Sequence, residues 1–349
     1  MLHCYKNWSV RLSLHVHSNI FKKNAINYIK LMELTDKSGI YVVDAQYLRE
    51  QLAAIHLVRA EDRIAIIDTG TQHSIPQVKS ALNQLGLNFE SVDFIILTHI
   101  HLDHAGGASG LMDLCNNAKL IVHPRGARHM IDPSKLIAGA KAVYGEQQFN
   151  KLYGNIEAIE ESRIIEPEDG EKISLAGREL EFLDTPGHAS HHHCIYDSLS
   201  GSMFTGDTLG VCYRALRNKE DAFLLPTTTP VQFNPQALHA SIDKVMAYQP
   251  KTLYLTHYSA ITPTSKMIAG LHEQIEDFVM LTQQASEICN GQRQKFEENL
   301  KQSVEDYLVK RCCNELSDMS ESVARKWLQL DAQLNAQGLA FWWQYKRSA

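Results

Sequence analysis

Phe94-Ile-Ile-Leu97 runs directly into Thr98-His99-Ile100-His101-Leu102-Asp103-His104, with Gly106-Gly107 close behind. The first four residues are a continuous apolar run, as expected of a strand buried on both faces. In an extended segment, residues two apart point the same way, so His99, His101 and Asp103 can converge at the strand end. The glycine pair permits a turn that swings His104 toward the same place. Three imidazoles and a carboxylate within six residues form a zinc-type ligand set. A surface histidine cluster without metal is the plainer alternative. The position, at the carboxyl end of a buried strand beside a glycine turn, argues against it.

Working outward, the same pattern recurs. Ala54–Val58 and Arg63–Ile67 read as strands around a turn at Glu61-Asp62, and the second ends in Asp68-Thr69-Gly70. Residues 75–85 carry a helical stripe that Gly86 closes, and Lys119–Val122 is a further strand. Strands are then expected at 173–176, 180–183, 194–196, 202–205 and 252–255, with a helix over 236–247. Alternating strands and helices predict an α/β layered domain. Three of these later strands end in a metal-type ligand: Thr185-Pro-Gly-His188, Thr205-Gly-Asp207 and Leu255-Thr-His257. Functional residues in layered α/β folds commonly sit at strand ends. Taken together, four strand ends deliver seven ligands to one cleft.

These motifs, with Ile67-Asp-Thr-Gly70, resemble those of the metallo-β-lactamase-fold hydrolase superfamily, nearest its glyoxalase-II-like branch. They occur in family order over about 190 residues. The resemblance implies a four-layer αββα sandwich of two mixed β-sheets, with a catalytic domain over 39–262. It also implies two divalent metal ions at one edge of the sandwich. One would take His99, His101 and His188, and the other Asp103, His104 and His257. Asp207 would bridge them, and Asp68 would orient the site by hydrogen bonding. His101 stands where di-iron flavoproteins of this fold carry Glu, which favours Zn2+ over Fe or Mn. Paired divalent ions roughly 3.5–4 Å apart activate a shared water as nucleophile. Asp103 is then the candidate catalytic residue, moving a proton from that water toward the leaving group.

Other residues carry weaker signals. His73 follows Asp68-Thr-Gly, and Tyr258 follows a ligand. Thr227, Thr228 and Thr229 lie in a proline-bounded loop between the ligands Asp207 and His257, where loops commonly shape a substrate pocket. All five are pocket candidates. For His123 a structural and a functional role are equally open. Strand alternation keeps His192 from sharing a direction with both His191 and His193, so one of the three faces the cleft.

The 349 residues suffice for about two domains, and the 34 basic against 40 acidic side chains give a net charge of −6. That balance excludes a dedicated nucleic-acid binder, whose footprint is a basic face. No apolar run is long enough to span a membrane. The seven cysteines are widely spaced with no C-x-x-C pair, as suits a reducing, cytoplasmic setting. Residues 1–38 read as an N-terminal extension. Within it, residues 1–32 hold five basic and no acidic residues. A loosely ordered basic extension, an acid-poor targeting segment and a true start at Met32 all fit. Residues 263–349 read as a helical module with breaks at Gly291 and Gly338. Its aromatic stripes suit packing, and its 10 basic and 12 acidic residues over 264–349 do not form a nucleic-acid surface.

The expected function is zinc-dependent hydrolysis of an ester, thioester or lactone in a small-molecule substrate. The same site would serve a phosphodiesterase or nuclease, or a mononuclear iron persulfide dioxygenase. A regulatory protein that keeps the metals but acts through partners is the non-enzymatic alternative.

Overall fold

The structure, a computed structural model, describes residues 32–34, 38–218, 221–228, 232–289 and 292–346. Two sheets dominate it. The first has seven strands in chain order: β1 (Met32–Leu34), β2 (Ile40–Asp44), β3 (Ala54–Ala60), β4 (Arg63–Ile67), β5 (Val92–Ile96), β6 (Lys119–Ile121) and β7 (Ile164–Ile165). Pairing is antiparallel from β1 to β4 and parallel from β4 to β7. The second has six: β8 (Lys172–Leu175), β9 (Arg178–Asp184), β10 (His193–Asp197), β11 (Ser202–Gly206), β12 (Thr252–Leu255) and β13 (Ser259–Ile261). Only its β11–β12 pair is parallel.

The helices are α1 (Ile75–Gln84), α2 (Leu102–Ala105), α3 (Ala108–Leu114), α4 (Pro124–Ile131), α5 (Ser134–Tyr144), α6 (Glu146–Tyr153) and α7 (Pro235–Ala247), followed by α8 (Ser265–Cys289), α9 (Arg293–Glu315) and α10 (Glu321–Lys346). Strand alternation sorts the core into layers. Ala65, Ile67, Ile96 and Ile121 of the first sheet meet Phe182, Ile195, Phe204 and Tyr254 of the second between the sheets. Their chain neighbours Ile64, Ile66 and Ile95 turn to the outer face, under α1 and α3. The second sheet's outer residues, among them Leu183, Met203 and Leu253, share one apolar cluster with α7 and the three C-terminal helices. The result is the αββα sandwich, and the C-terminal helices are part of its outer layer.

Two differences from the sequence reading have physical causes. Gly338 does not interrupt a helix: it lies buried inside α10, where tertiary packing outweighs the roughly 1 kcal/mol propensity cost of one glycine. β1 lies within the segment read as an extension, and it pairs with β2 through Met32 opposite Val43. Gly291 and the remainder of residues 1–37 lie outside the described residues. Among the described residues, no helix is long and apolar enough to cross a membrane.

Candidate metal centre

The decisive motif is not one extended run. β5 ends at Ile96, residues 97–101 form a connection, and Leu102–Ala105 close a single helical turn capped by His101. Alternation along a strand therefore does not gather Asp103 with His99 and His101, as the spacing suggested. The helical turn divides the motif instead. His99 and His101 face one way with His188, while Asp103 and His104 face His257. The Gly107 backbone then donates to the Thr69 hydroxyl and the Gly70 carbonyl, each at 3.1 Å, which docks this turn on the Asp-Thr-Gly corner.

Asp207 joins the two groups. One carboxylate oxygen, Oδ2, lies 3.5 Å from His188 Nε2. The other, Oδ1, lies 3.5 Å from His104 Nε2 and 3.7 Å from His257 Nε2. Asp103 Oδ2 is 3.4 Å from His257 Nε2 and 3.8 Å from His104 Nε2. His101 Nδ1 faces His99 Nε2 at 2.8 Å and His188 Nε2 at 3.1 Å. Donors about 2.0–2.2 Å from a tetrahedral ion stand roughly 3.3–3.6 Å apart, so the His188–Asp207, His104–Asp207 and His257–Asp103 separations fit shared coordination as they stand, and the others lie close to that range. Asp207 Oδ1 and His104 Nε2 are buried without a hydrogen-bond partner. Buried polar atoms left so are costly unless something satisfies them. The donor set of imidazoles and carboxylates fits a divalent transition metal.

Three of the candidate rings are held by the far nitrogen, which sets the tautomer and aims the near one. His104 Nδ1 donates to Asp68 at 2.8 Å, and His257 Nδ1 donates to the Leu52 carbonyl at 2.7 Å. His188 Nδ1 meets the Thr227 hydroxyl at 2.6 Å. Asp68 is fully buried and also accepts from the Thr98 amide at 2.8 Å and the Thr256 hydroxyl at 2.7 Å. Asp207 is set by a glycine and a histidine. Gly206 has φ +48°, and a Cβ there would lie 2.5 Å from His192 Nε2. His192 Nε2 accepts the Asp207 amide at 3.2 Å, while its Nδ1 is held by Thr185 and Thr208.

Electrostatics divide the centre in the same way. Burial pushes His101 and His188 down to about 3 and lowers His99 as well, with neighbouring imidazoles adding to the effect, so this half offers neutral lone pairs. Burial opposes protonation of His104 too, but Asp207, Asp68 and Asp103 outweigh it and raise that imidazole to about 10. His257 is raised by Asp207 and Asp103 against its burial. Burial would raise Asp103, but His104 and His257 hold it far below the usual carboxylate range. Three carboxylates thus create a demand for positive charge that a metal would meet.

The remaining sequence candidates divide as well. Thr227 holds a ligand. Thr228 is buried with its hydroxyl on Asn335 of α10, so it anchors a helix and does not present its side chain to a pocket. Tyr258 is buried among the inter-sheet apolar residues with the Arg214 guanidinium 4.8 Å from its ring, which places it in the core. His73 is exposed and lies against Gly154, just past α6. Thr229 lies outside the described residues. His123 caps α4 and bonds Asp184 at 3.0 Å. Sequence reasoning gave no role to Thr98 and Thr256, which both bond Asp68. The signal was present, because each directly precedes a ligand histidine at a strand end.

Comparison with known proteins bears on the family and the fold. The chain is 27% identical over 217 residues to the metallo-beta-lactamase fold-containing protein ST1585 of Sulfurisphaera tokodaii, covering 61% of this chain and 75% of that one. It is 27% identical over 206 residues to a hydroxyacylglutathione hydrolase of Aeromonas hydrophila, covering 58% of this chain and 60% of the relative. It is 24% identical to the human acyl-coenzyme A thioesterase MBLAC2, covering 49% and 63%. Among solved structures, the metallo-beta-lactamase family protein TTHA1429 of Thermus thermophilus shares the fold with a TM-score of 0.57. That match has 18% identity and covers 88% of this chain and 94% of the other. The sequence profile of the metallo-beta-lactamase superfamily matches residues 50–257, a span that holds every ligand from His99 to His257, and the chain belongs to that superfamily.

Proposed function

We propose that this protein is a metal-dependent hydrolase of a small-molecule acyl bond, an ester, thioester or lactone, with Zn2+ as the native metal at two positions. The observation that carries the reading is the Asp207 carboxylate, whose two oxygens address separate histidine groups. When bound, paired divalent ions supply a water of lowered pKa and polarise the substrate carbonyl. The chain's own residues do the rest. His99, His101 and His188 present lone pairs kept neutral by burial. Asp68 fixes the His104 tautomer.

Asp103 has the most exposed side chain of the three acids, at 26% against 6% for Asp207 and 1% for Asp68. Its role in this reading is to accept a hydrogen bond from the attacking water and steer that proton toward the leaving group, since His104 and His257 hold its carboxylate ionised. Two relatives named as an acyl hydrolase and an acyl thioesterase support the acyl reading. The described cysteines are all free thiols, in keeping with a cytoplasmic setting.

The test is metal quantitation on natively purified protein, then a screen of p-nitrophenyl esters, thioesters, lactones and bis-phosphodiesters. Two ions per chain and metal-dependent acyl hydrolysis are expected. One tightly bound ion after zinc supplementation, or cleavage of phosphodiesters alone, would reject the reading.

A further inference from the structure

Beside the metal centre, on its α4 flank, lies a cavity of about 190 Å3. Arg125, Arg128, His129, Ser190, His191 and Gln232 line it, and among the described residues none that lines it is a carboxylate. At about 30 Å3 per water, it has room for an oxyanion group with a few waters. His191 connects it to the ligands. Its ring lies parallel to His99 with centroids 6.3 Å apart, and edge-on to His101 at 5.6 Å. Gly126 seats α4 this closely, since a Cβ there would be 2.9 Å from Ile100 and 3.7 Å from the His191 Cβ.

The polar groups around the cavity are incompletely used. His191 is only 7% exposed, and its Nδ1 is buried without a partner. Arg125 spends one nitrogen on the Ser190 carbonyl at 3.0 Å, and Arg128 spends one on His129 at 3.3 Å. Gln232 uses its carbonyl on the Ser190 amide and hydroxyl, both at 2.8 Å, so its NH2 group is left over. Arg125 and Arg128 stand three apart on one short helix, where like charges repel. A bound anion would relieve that repulsion, and guanidinium forks match the oxygens of carboxylate and phosphate.

The geometry points to this cavity as an oxyanion subsite that takes a carboxylate or phosphate of the substrate whose acyl bond lies at the metal centre. Arg125 and Arg128 supply the paired donors, and His191 supplies the buried one. That the occupant is part of a substrate rests on the acyl-hydrolase reading. That the cavity binds an oxyanion does not.

The experiment therefore measures binding and turnover separately. Inorganic phosphate and succinate are titrated calorimetrically into the full-length, metal-loaded protein and into the same protein after chelation. The titrations are repeated on the Arg125→Gln/Arg128→Gln and Arg125→Lys/Arg128→Lys variants, with circular dichroism to confirm folding. At least one anion should bind with or without metal, weaken tenfold or more in the Gln variant and be largely retained in the Lys variant. Binding of neither anion, or binding that disappears on chelation but survives the Gln changes, overturns the subsite.

In the turnover arm, kcat/KM for acetyl-coenzyme A over acetyl-N-acetylcysteamine reports a phosphate handle. The ratio for succinyl- over acetyl-N-acetylcysteamine reports a carboxylate. Whichever ratio the unmodified protein favours should fall tenfold or more in the Gln variant, and no fall in either counts against the subsite. If no thioester or ester is hydrolysed at all, the acyl-hydrolase reading fails, while the titrations still decide the subsite.

Discussion

Asn335, in the middle of α10, accepts the backbone N–H of Thr228 at 2.6 Å and donates to the Pro226 carbonyl at 3.2 Å. The residue between those two contacts, Thr227, holds His188 Nδ1. A C-terminal helix thus grips the loop that aims a candidate metal ligand. Asn335→Ala would orphan the Thr228 amide and a buried carbonyl, at about 1–3 kcal/mol each. We expect a clearly lower Tm and weaker metal retention by the His99–His101–His188 group. Calorimetry and chelator competition measure the two effects. A lower Tm with unchanged metal affinity would mean that the helix supports the fold but not the ligand.

Asp207 should be the most sensitive position of the centre. Asp207→Asn keeps its shape but removes the one carboxylate among the described residues that reaches both histidine groups. Affinity for the weaker ion should fall sharply, and kcat with it. His188→Ala removes one neutral ligand from one group, so metal content should fall less. His192→Ala leaves every ligand in place but deletes the acceptor of the Asp207 amide, which predicts an intermediate loss. Metal content and kcat measured side by side rank the three. Full activity with two ions in Asp207→Asn would refute the bridging assignment.

Gly206→Ala tests the backbone behind that carboxylate. The added methyl would fall 2.5 Å from His192 Nε2 and 2.7 Å from the Thr98 hydroxyl, at a φ that side chains rarely adopt. Destabilisation of at least about 2 kcal/mol is expected, together with lost metal affinity. Denaturant unfolding and metal titration would show both effects, whereas wild-type behaviour in each would contradict the described packing.

That these side chains gather at one edge was legible because each follows an apolar strand and carries a polar side chain with little other reason to be there. Asp68 was legible from its motif, though not the three hydrogen-bonding partners that converge on it. What sequence could not show was distance along the chain becoming proximity. Thr228 and Asn335 are 107 residues apart, and Tyr213 and Asp331 are 118 apart. The helices from α2 to α6 escaped the reading because their apolar stripes are short and broken by polar residues. The arrangement of the motif was misread because the strand stops at Ile96 and Asp103 and His104 fall in the helical turn α2.

Asp331 sets the last prediction. It accepts the Tyr213 hydroxyl at 2.9 Å, while its other carboxylate oxygen is buried without a partner. Burial raises it to about 6, against partial opposition from Tyr213 and Arg49. An acid whose pKa is higher folded than unfolded binds more protons in the native state between the two values. Its contribution to stability is therefore full below about pH 4, falls as pH rises toward about 6 and is constant above that, with a total loss of about 3 kcal/mol or less. Asp331→Asn keeps an acceptor for Tyr213 and cannot ionise, so this part of the pH dependence should disappear. Denaturant melts of both proteins from pH 4 to pH 7 give the comparison. Parallel stability curves across that range would show that Asp331 is ionised at little cost and that the Arg49 charge suffices for it.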